Sequence, residues 1–190
     1  MFYRFIYFLI RIIATPLFRI RVHGIENIPK DEKYIICANH KSFFDPIFVA
    51  LAINRQVHFI AKKELFEIPI LKNILKKLNA IPAQRDGKDL SVLRDSIKLI
   101  KKGKILGIFP EGTRVKTVSE ENMKTGVAMI ASRAGADVIP VFINSNYKFR
   151  SKVEVFVRDK IAISSFDDVS KDIRNKAITR AIYENIYKVN

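Results

Sequence analysis

The sequence has 190 residues, 48% of them hydrophobic and 28% charged, which excludes a disordered chain and leaves room for one domain with a sizeable core. Its 34 Lys and Arg residues outnumber the 19 Asp and Glu residues and give a formal net charge of +15. Such a charge attracts nucleic acid, anionic lipid headgroups or an acidic carrier protein, unless it is simply a solvated basic surface. The single cysteine, Cys37, excludes an internal disulfide bond and is expected to be a buried small hydrophobic residue in an intracellular protein.

The amino-terminal segment is strongly apolar, but arginines recur along it at Arg4, Arg11, Arg19 and Arg21. A membrane-spanning helix needs about 20 nearly uncharged residues, so this segment is too short and too charged to cross a bilayer comfortably. It also differs from a secretory signal, in which the charge precedes a clean apolar core. We predict that residues 1–22 form an amphipathic helix at the membrane interface, whose arginines reach lipid phosphates. An ordinary helix packed on the protein core is the alternative.

The remaining residues, 23–190, alternate short apolar runs with helical patterns, which is typical of an α/β domain. The predicted strands are 34–38, 57–61, 80–83, 105–109, 138–143 and 152–157. One predicted helix begins at Asp45, and the others cover about 63–78, 89–102, 125–134 and 170–188. We therefore expect a single α/β domain, with a mixed, largely parallel sheet flanked by helices, that carries the N-terminal membrane-associated helix.

His40 and Asp45 form a His-x4-Asp pair directly after the predicted strand 34–38. Asp45 precedes Pro46, so it has a purely structural interpretation as the N-cap of a helix that begins with proline. A carboxylate has two oxygens, however, and the second is able to accept from His40 Nδ1–H. That pairing fixes the ring tautomer and leaves Nε2 free as a base toward a hydroxyl group. The spacing alone is weak evidence for catalysis, but with the phosphate-binding motifs described below we expect Asp45 to cap the helix and to orient His40 at once.

The string Phe-Pro-Glu-Gly-Thr-Arg at residues 109–114 follows another predicted strand. There Gly112 relaxes the backbone, and Arg114 offers a planar fork to a phosphate group. Glu111 would repel phosphate, so we expect it to orient Arg114 or to bind a substrate hydroxyl. The alternative is a surface turn with a salt bridge, which contributes little stability.

Two further cations lie at predicted element ends. Arg85 follows the strand 80–83, and Lys124 precedes a helix whose first N–H groups attract anions. With the preceding motifs, these residues predict phosphate recognition next to a catalytic base.

These motifs, in this order, resemble the glycerolipid acyltransferase family typified by bacterial 1-acylglycerol-3-phosphate acyltransferase. The likeness covers about residues 24–142 and is carried by Asn39-His40-x-Ser42-x-x-Asp45, Lys63-Glu64-Leu65, the 109–114 string and Val138-Ile139-Pro140-Val141. The resemblance implies transfer of a fatty acyl group from an acyl-carrier-protein or coenzyme A thioester to the sn-2 hydroxyl of lysophosphatidic acid. The product would be phosphatidic acid, made in phospholipid biosynthesis at the cytoplasmic face of the cell membrane by a peripheral or monotopic protein.

The resemblance also implies roles for individual residues. His40 would be the general base, oriented by Asp45, and Pro140 would lie on the acyl-donor side. The positions that match the family's glycerol-phosphate site are Arg85, Glu111, Gly112 and Arg114. We add Thr113, which lies in the same string, and Lys124, which precedes a helix, to the residues expected to bind the phosphate. The resemblance implies no metal and no bound cofactor, since the thioester is a co-substrate.

The chain departs from the family at three positions: Lys72 and Asn79 stand where Gly is frequent, and Met123 where Phe is common. These departures bear on acyl-chain length and on the choice of acceptor. Another lysophospholipid or an acyl-amino-acid lipid is the alternative acceptor. A non-catalytic lipid-binding protein would leave the His-Asp pair without a function. A nucleic-acid-binding module lacks support, because no nucleic-acid motif is present and the aromatic residues concentrate at the amino terminus.

Overall fold

The computed structural model describes residues 2–29, 33–84, 90–115, 117 and 119–188. The described residues form one seven-stranded sheet with the order β1-β7-β6-β2-β5-β3-β4. Its strands are β1 Phe18–His23, β2 Tyr34–Ala38, β3 Val57–Lys62, β4 Ile81–Ala83, β5 Ile105–Ile108, β6 Asp137–Ser145 and β7 Ser151–Val157. All neighbours pair in parallel except β6 and β7. The predicted mixed, largely parallel sheet is confirmed.

Helices cover both faces of this sheet. They are α1 Phe2–Leu17, α2 Asp45–Ile53, α3 Pro69–Lys77, α4 Leu90–Lys101, α5 Gly126–Ala134 and α6 Lys171–Ile186. The sequence of β2 is uniformly apolar because both of its faces are covered by helices. Ile35 and Cys37 pack with α4, α5 and α6, whereas Tyr34 and Ile36 pack with α2 on the other face. Residues buried on both faces leave no place for polar alternation. Cys37 is fully buried and carries a free thiol, as predicted.

The prediction that a helix covers residues 1–22 is wrong for residues 18–22. The helix ends at Leu17, and Phe18–His23 form β1, which pairs in parallel with β7. In this stretch apolar Phe18, Ile20 and Val22 alternate with arginines, which is the period of a strand with one buried face. Continuation of the N-terminal apolar run concealed this change of period.

The predicted helix 63–78 is divided in the structure. Residues Lys63–Phe66 form a short 3-10 turn, and α3 begins only at Pro69. Proline has no N–H to donate and its fixed φ suits the first turn, so it starts a helix more readily than it continues one. Asn79 is left-handed after α3, with φ of 53°, and Gly103 is left-handed after α4, with φ of 73°, as residues that end a helix often are.

Helix α1 is amphipathic and attached to the domain along one face only. The hydroxyl of Tyr3 donates to the Arg55 carbonyl at 2.6 Å, and that of Tyr7 donates to the Leu51 carbonyl at 3.4 Å. Its opposite face carries an apolar stripe of exposed side chains, namely Phe5, Phe8, Leu9, Ile12 and Ile13. Their spacing puts them on one side of the helix. In the described part of the chain, no helix has the length and apolar character needed to cross a membrane.

The parallel strands at the centre of the sheet bring the predicted motifs together. Strand β2 pairs with both β5 and β6. Because the carboxyl ends of parallel strands share one edge, the residues after β2 and after β5 become neighbours there, which is where open α/β sheets bind ligands.

Candidate active site

Asn39 anchors the chain where β2 ends. Its side chain is fully buried, with Nδ2 donating to the Ile143 carbonyl at 3.0 Å and Oδ1 accepting from the Ile143 N–H at 2.7 Å. The side-chain amide thus continues the pairing with β6 that the backbone makes up to Ala38. These two hydrogen bonds to Ile143 fix the position from which His40 projects.

His40 and Asp45 are paired as the sequence predicted. Nδ1 of His40 lies 3.0 Å from Oδ2 of Asp45, and the Asp45 side chain is fully buried. An ionised carboxylate only accepts hydrogen bonds, so Nδ1 carries the hydrogen and Nε2 is left with a free lone pair. The His40 side chain is 18% exposed, which leaves it open to a substrate.

The prediction that Asp45 is the N-cap of α2 is wrong. Phe44 occupies that position, and Asp45 is the first residue of the helix, ahead of Pro46. The Asp45 carboxylate turns back to the preceding loop instead, where Oδ2 accepts from the N–H groups of Lys41 and Ser42, each at 2.7 Å. The loop donors thereby replace the helix donors that a capping carboxylate would bind.

The His40 ring rests on an aromatic stack. Its centroid lies 4.2 Å from that of Phe109, and Phe109 lies 5.9 Å from Phe59 of β3. Gly107 of β5 provides the room, because a Cβ there would approach the Phe59 ring to 2.5 Å. The absence of a side chain at Gly107 therefore leaves room for the Phe59 ring, which packs on the Phe109 ring beneath His40.

Backbone contacts fasten the 109–114 loop to this pair. The N–H of Val115 donates to the His40 carbonyl at 3.0 Å, and the N–H of Lys124 donates to the Pro110 carbonyl at 3.0 Å. Gly112 is left-handed, with φ of 68°, and a Cβ there would come within 3.0 Å of Lys124 Nζ. The structure thus brings Gly112 and Lys124 together, as the prediction of one anion site requires.

Arg114 and Thr113 are both exposed at the tip of this loop. The Arg114 guanidinium lies 3.6 Å above the ring centroid of Phe43, a strongly exposed residue in the loop between His40 and Asp45. A cation over an aromatic face is an attractive contact that still leaves the edge of the guanidinium free for hydrogen bonds. A positive charge is therefore held over the loop that links His40 to Asp45.

Glu111 points the other way, into the protein. It is 4% exposed, and its Oε1 accepts from the hydroxyl of Tyr187 at 2.9 Å. Glu111 thus bonds Tyr187, while Arg114 packs on Phe43, so the expectation that Glu111 orients Arg114 is not met. Burial raises the pKa of Glu111 above its ordinary value, and the Tyr187 hydroxyl and the nearby His40 partly oppose that rise.

Two predicted site residues lie elsewhere. Arg85 is outside the described residues. Pro140 is buried within β6, opposite Cys37 of β2, and its carbonyl accepts from the Arg158 N–H at 2.9 Å. It lies below the edge at which His40 projects, and its link to the acyl donor remains a prediction.

Two tyrosines in the site carry no signal in the sequence that predicts their roles. The Tyr147 hydroxyl donates to Asp45 Oδ1 at 2.8 Å, and the Tyr187 hydroxyl donates to Glu111. Tyr147 is 102 residues from its partner and Tyr187 is 76 residues from its own, and neither belongs to a motif. No local pattern could have linked them to the site.

Comparison with known proteins identifies the family. The family described as Acyltransferase matches residues 19–144, the segment that runs from β1 into β6 and contains the paired His40 and Asp45. This chain belongs to the Acyltransferase family. The family resemblance predicted from the motifs is confirmed.

Individual relatives agree with this membership. The chain is 29% identical to the 1-acyl-sn-glycerol-3-phosphate acyltransferase of Bacillus subtilis strain 168, over 97% of this chain and 94% of that protein. It is 28% identical to the chloroplastic 1-acyl-sn-glycerol-3-phosphate acyltransferase LPAT1 of Arabidopsis thaliana, covering 85% of this chain but 49% of that protein. The crystal structure of the 1-acyl-sn-glycerophosphate acyltransferase from Thermotoga maritima superposes with a TM-score of 0.66 at 30% identity, covering 87% of this chain and 69% of that one.

The raised pKa of Glu111 predicts a pH-dependent effect of Glu111→Gln on stability. The native state holds this proton more tightly than the unfolded chain does. The stabilisation contributed by protonated Glu111 is complete below 4.5, the ordinary pKa of glutamate. It is lost as the pH rises through the raised pKa of Glu111 in the folded protein. Gln keeps the shape without the charge, so the unfolding free energy of Glu111→Gln, relative to the unsubstituted protein, should increase between about pH 4 and pH 7.

Urea unfolding at a series of pH values measures this difference. Glu67→Gln is the control, since Glu67 is exposed and its substitution should leave the two stability curves parallel. A relative stability of Glu111→Gln that stays flat or falls with rising pH would contradict the account of Glu111.

Proposed function

We propose that this acyltransferase moves a fatty acyl group from a thioester donor to the sn-2 hydroxyl of lysophosphatidic acid, giving phosphatidic acid. One observation carries the proposal: the 109–114 loop is hydrogen-bonded through Val115 directly to His40, which is itself held by the buried Asp45. A base toward a hydroxyl group and a cationic loop for a phosphate therefore lie side by side. The names of the relatives from Bacillus subtilis and Thermotoga maritima support the same acceptor.

In this reaction His40 acts as the general base. Nε2 takes the proton of the acceptor hydroxyl as its oxygen attacks the thioester carbonyl. Asp45 keeps Nδ1 protonated and stabilises the positive charge that forms on the ring. The tetrahedral intermediate collapses by breaking its carbon–sulfur bond, and the proton on Nε2 passes to the departing thiolate or to water. A thiol has a pKa of about 8.5, so the thiolate leaves without a strong acid and no second acidic residue is needed.

The acceptor's phosphate is bound by the cations at the loop tip. Lys124 lies against Gly112, and Arg114 lies over Phe43, so two positive side chains stand beside the left-handed turn. Thr113, which precedes Arg114 in the chain, is exposed and adds a hydroxyl donor. Arg guanidinium groups bind phosphate through paired N–H donors, which orients the headgroup as well as attracting it. We include Arg85 in this set on the strength of the family resemblance alone.

The donor is proposed to be an acyl-carrier-protein or coenzyme A thioester. Both are anionic, and the net charge of +15 attracts either one over a distance comparable to the Debye length. Pro140 is proposed to contribute to the donor side from within β6.

Replacing His40 with Ala tests the reaction. Purified protein is incubated with lysophosphatidic acid and each thioester in turn, and phosphatidic acid and free thiol are measured. The substitution should lower turnover at least about a hundredfold, because it removes the general base. His23→Ala is the matched control, since His23 is part of β1 and outside the site.

The outcomes separate the parts of the proposal. Near-normal acyl transfer by the folded His40→Ala protein would contradict the assignment of His40 as the general base. Faster transfer to lysophosphatidylcholine or to an acyl-amino-acid lipid than to lysophosphatidic acid would overturn the acceptor while leaving the base in place.

We propose that the apolar stripe of α1 enters the interface of an anionic membrane, at the cytoplasmic face of the cell membrane. Tyr3 and Tyr7 tie the opposite face of α1 to the domain, so the helix lies along the bilayer surface as a peripheral or monotopic attachment. Its arginines then reach lipid phosphates. The chain after α1 leads to Phe18, whose ring lies 5.1 Å from Phe44 in the His40–Asp45 loop. Membrane contact and acyl transfer would therefore occur close together.

Flotation on vesicles of phosphatidylcholine and phosphatidylglycerol tests the attachment. The double substitution Phe8→Gln, Ile12→Gln should weaken binding at least about tenfold, since burying each of these side chains contributes roughly 1.5–3 kcal/mol. Ile173→Gln is the control, because Ile173 is similarly exposed, at 56%, but lies on α6. Equal flotation of the double variant and the unsubstituted protein would refute the role of the stripe.

A further inference from the structure

Asp45 uses both of its carboxylate oxygens, but in different directions. Oδ2 accepts from His40 Nδ1 and from the loop N–H groups of Lys41 and Ser42. Oδ1 accepts from Tyr147, at 2.8 Å, and from no other described residue. In a fully buried carboxylate an oxygen without a donor is costly, so this hydroxyl is needed to complete the site.

We propose that Tyr147 is a positioning residue of the reaction, which holds Asp45 from the side opposite His40 and so sets the orientation and charge of the general base. This inference rests on the proposed function of His40 and adds a residue that no motif contains. Tyr147 does not contact His40; it acts through the carboxylate.

The backbone of Tyr147 supports this role. Its φ is 57°, in the left-handed region that bulky side chains rarely adopt. Such strain persists only where surrounding contacts over-determine the conformation, and three contacts do so here. The Tyr147 N–H donates to Ser145 Oγ at 3.0 Å, the ring stacks on Phe48 of α2 with centroids 6.3 Å apart, and the hydroxyl reaches Asp45. The strained turn between β6 and β7 delivers one hydroxyl group to one buried oxygen.

The Tyr147 hydroxyl keeps its proton and remains a donor at neutral pH. Burial raises the pKa of its phenol well above the ordinary value, and the charge of Asp45 and the hydrogen bond to it add to the rise. Among the described residues, the titratable groups at this cluster are His40 and Tyr147 around Asp45, and Glu111 near His40, with Tyr187 behind Glu111. The charged group on the same loop as Glu111 is Arg114, which lies over Phe43. Among these, His40 is the group whose proton moves in the reaction.

Removal of the Tyr147 hydroxyl should change the pH dependence of the reaction in a definite direction. The bond from Tyr147 draws negative charge toward Oδ1, away from the oxygen that faces His40. Without that bond Asp45 presents more charge to the imidazole, which stabilises the protonated ring. A larger share of the protein then lacks a free Nε2 at a given pH, so the acid limb of the rate profile moves to higher pH. The carboxylate also loses one of its fixed contacts, and the ring is oriented less firmly.

The substitution Tyr147→Phe tests the proposal, with Tyr183→Phe as the matched control. Tyr183 is a partly buried tyrosine on α6 whose ring contacts Tyr187. Its described contacts include neither His40 nor Asp45. We expect Tyr147→Phe to lower kcat about tenfold, with little change in KM for lysophosphatidic acid, and to shift the acid limb upward. Tyr183→Phe should change none of these. A Tyr147→Phe profile that overlies the unsubstituted one would overturn the proposal.

A second readout does not depend on the acyl transfer. Isotope-labelled histidine rings are followed by NMR through a pH titration, and His40 is assigned among the three histidines by its loss in His40→Ala. In Tyr147→Phe the His40 titration should move to higher pH, and that of His23 should stay. If no acyl transfer is found in any variant, the proposed function fails while this titration still tests Tyr147.

Should Tyr147→Phe fail to fold, Ser145→Ala provides the same test. It removes the oxygen that accepts from the Tyr147 N–H, so it loosens the placement of the hydroxyl while keeping the phenol. We expect a smaller upward movement of the His40 titration. An unchanged His40 signal in the folded variant would contradict the role of Tyr147.

Discussion

The buried carboxylate of Asp45 is the constraint on which the rest of the site depends. An ionised group out of contact with water is tolerated only when donors surround it. Here the loop after β2 supplies donors from Lys41, Ser42 and the His40 ring, and the turn after β6 supplies Tyr147. The loop must therefore curl around the carboxylate. Orientation of the His40 ring is a consequence of satisfying this one charge, and catalysis uses the ring nitrogen that faces away from it.

The sheet explains how distant segments reach this point. Parallel pairing of β2 with β5 and β6 puts the ends of these strands at one edge, where Asn39 bonds to Ile143 and Val115 bonds to His40. Gly107 lets the aromatic stack beneath His40 form. On the outer side, α1 is held by its tyrosine face and presents the apolar stripe. A cationic site and an apolar surface together suit a substrate with a phosphate headgroup and an acyl chain.

Much of this architecture could be predicted because the signals are local. The apolar run of β2 and the helical repeat of α4 lie in short stretches of sequence, and both elements fall close to their predicted bounds. Other features depend on contacts across the chain. The apolar run before β1 makes its alternating pattern hard to recognise in the sequence. Asp45 is not the N-cap of α2, because its carboxylate accepts from loop N–H groups instead. Tyr147 was not predictable, because its role follows from a strained turn and a partner 102 residues away.

The substitution Asp45→Asn tests the central claim most directly, since it removes the buried charge and keeps the shape of the side chain. Transfer of acyl groups to lysophosphatidic acid is measured as a function of pH, on protein shown by circular dichroism to be folded. If the charge of Asp45 orients and supports His40, the rate should fall at least about a hundredfold near neutral pH, as expected when a carboxylate that holds a histidine base is neutralised. A folded Asp45→Asn protein that transfers acyl groups at close to the unsubstituted rate would contradict the account.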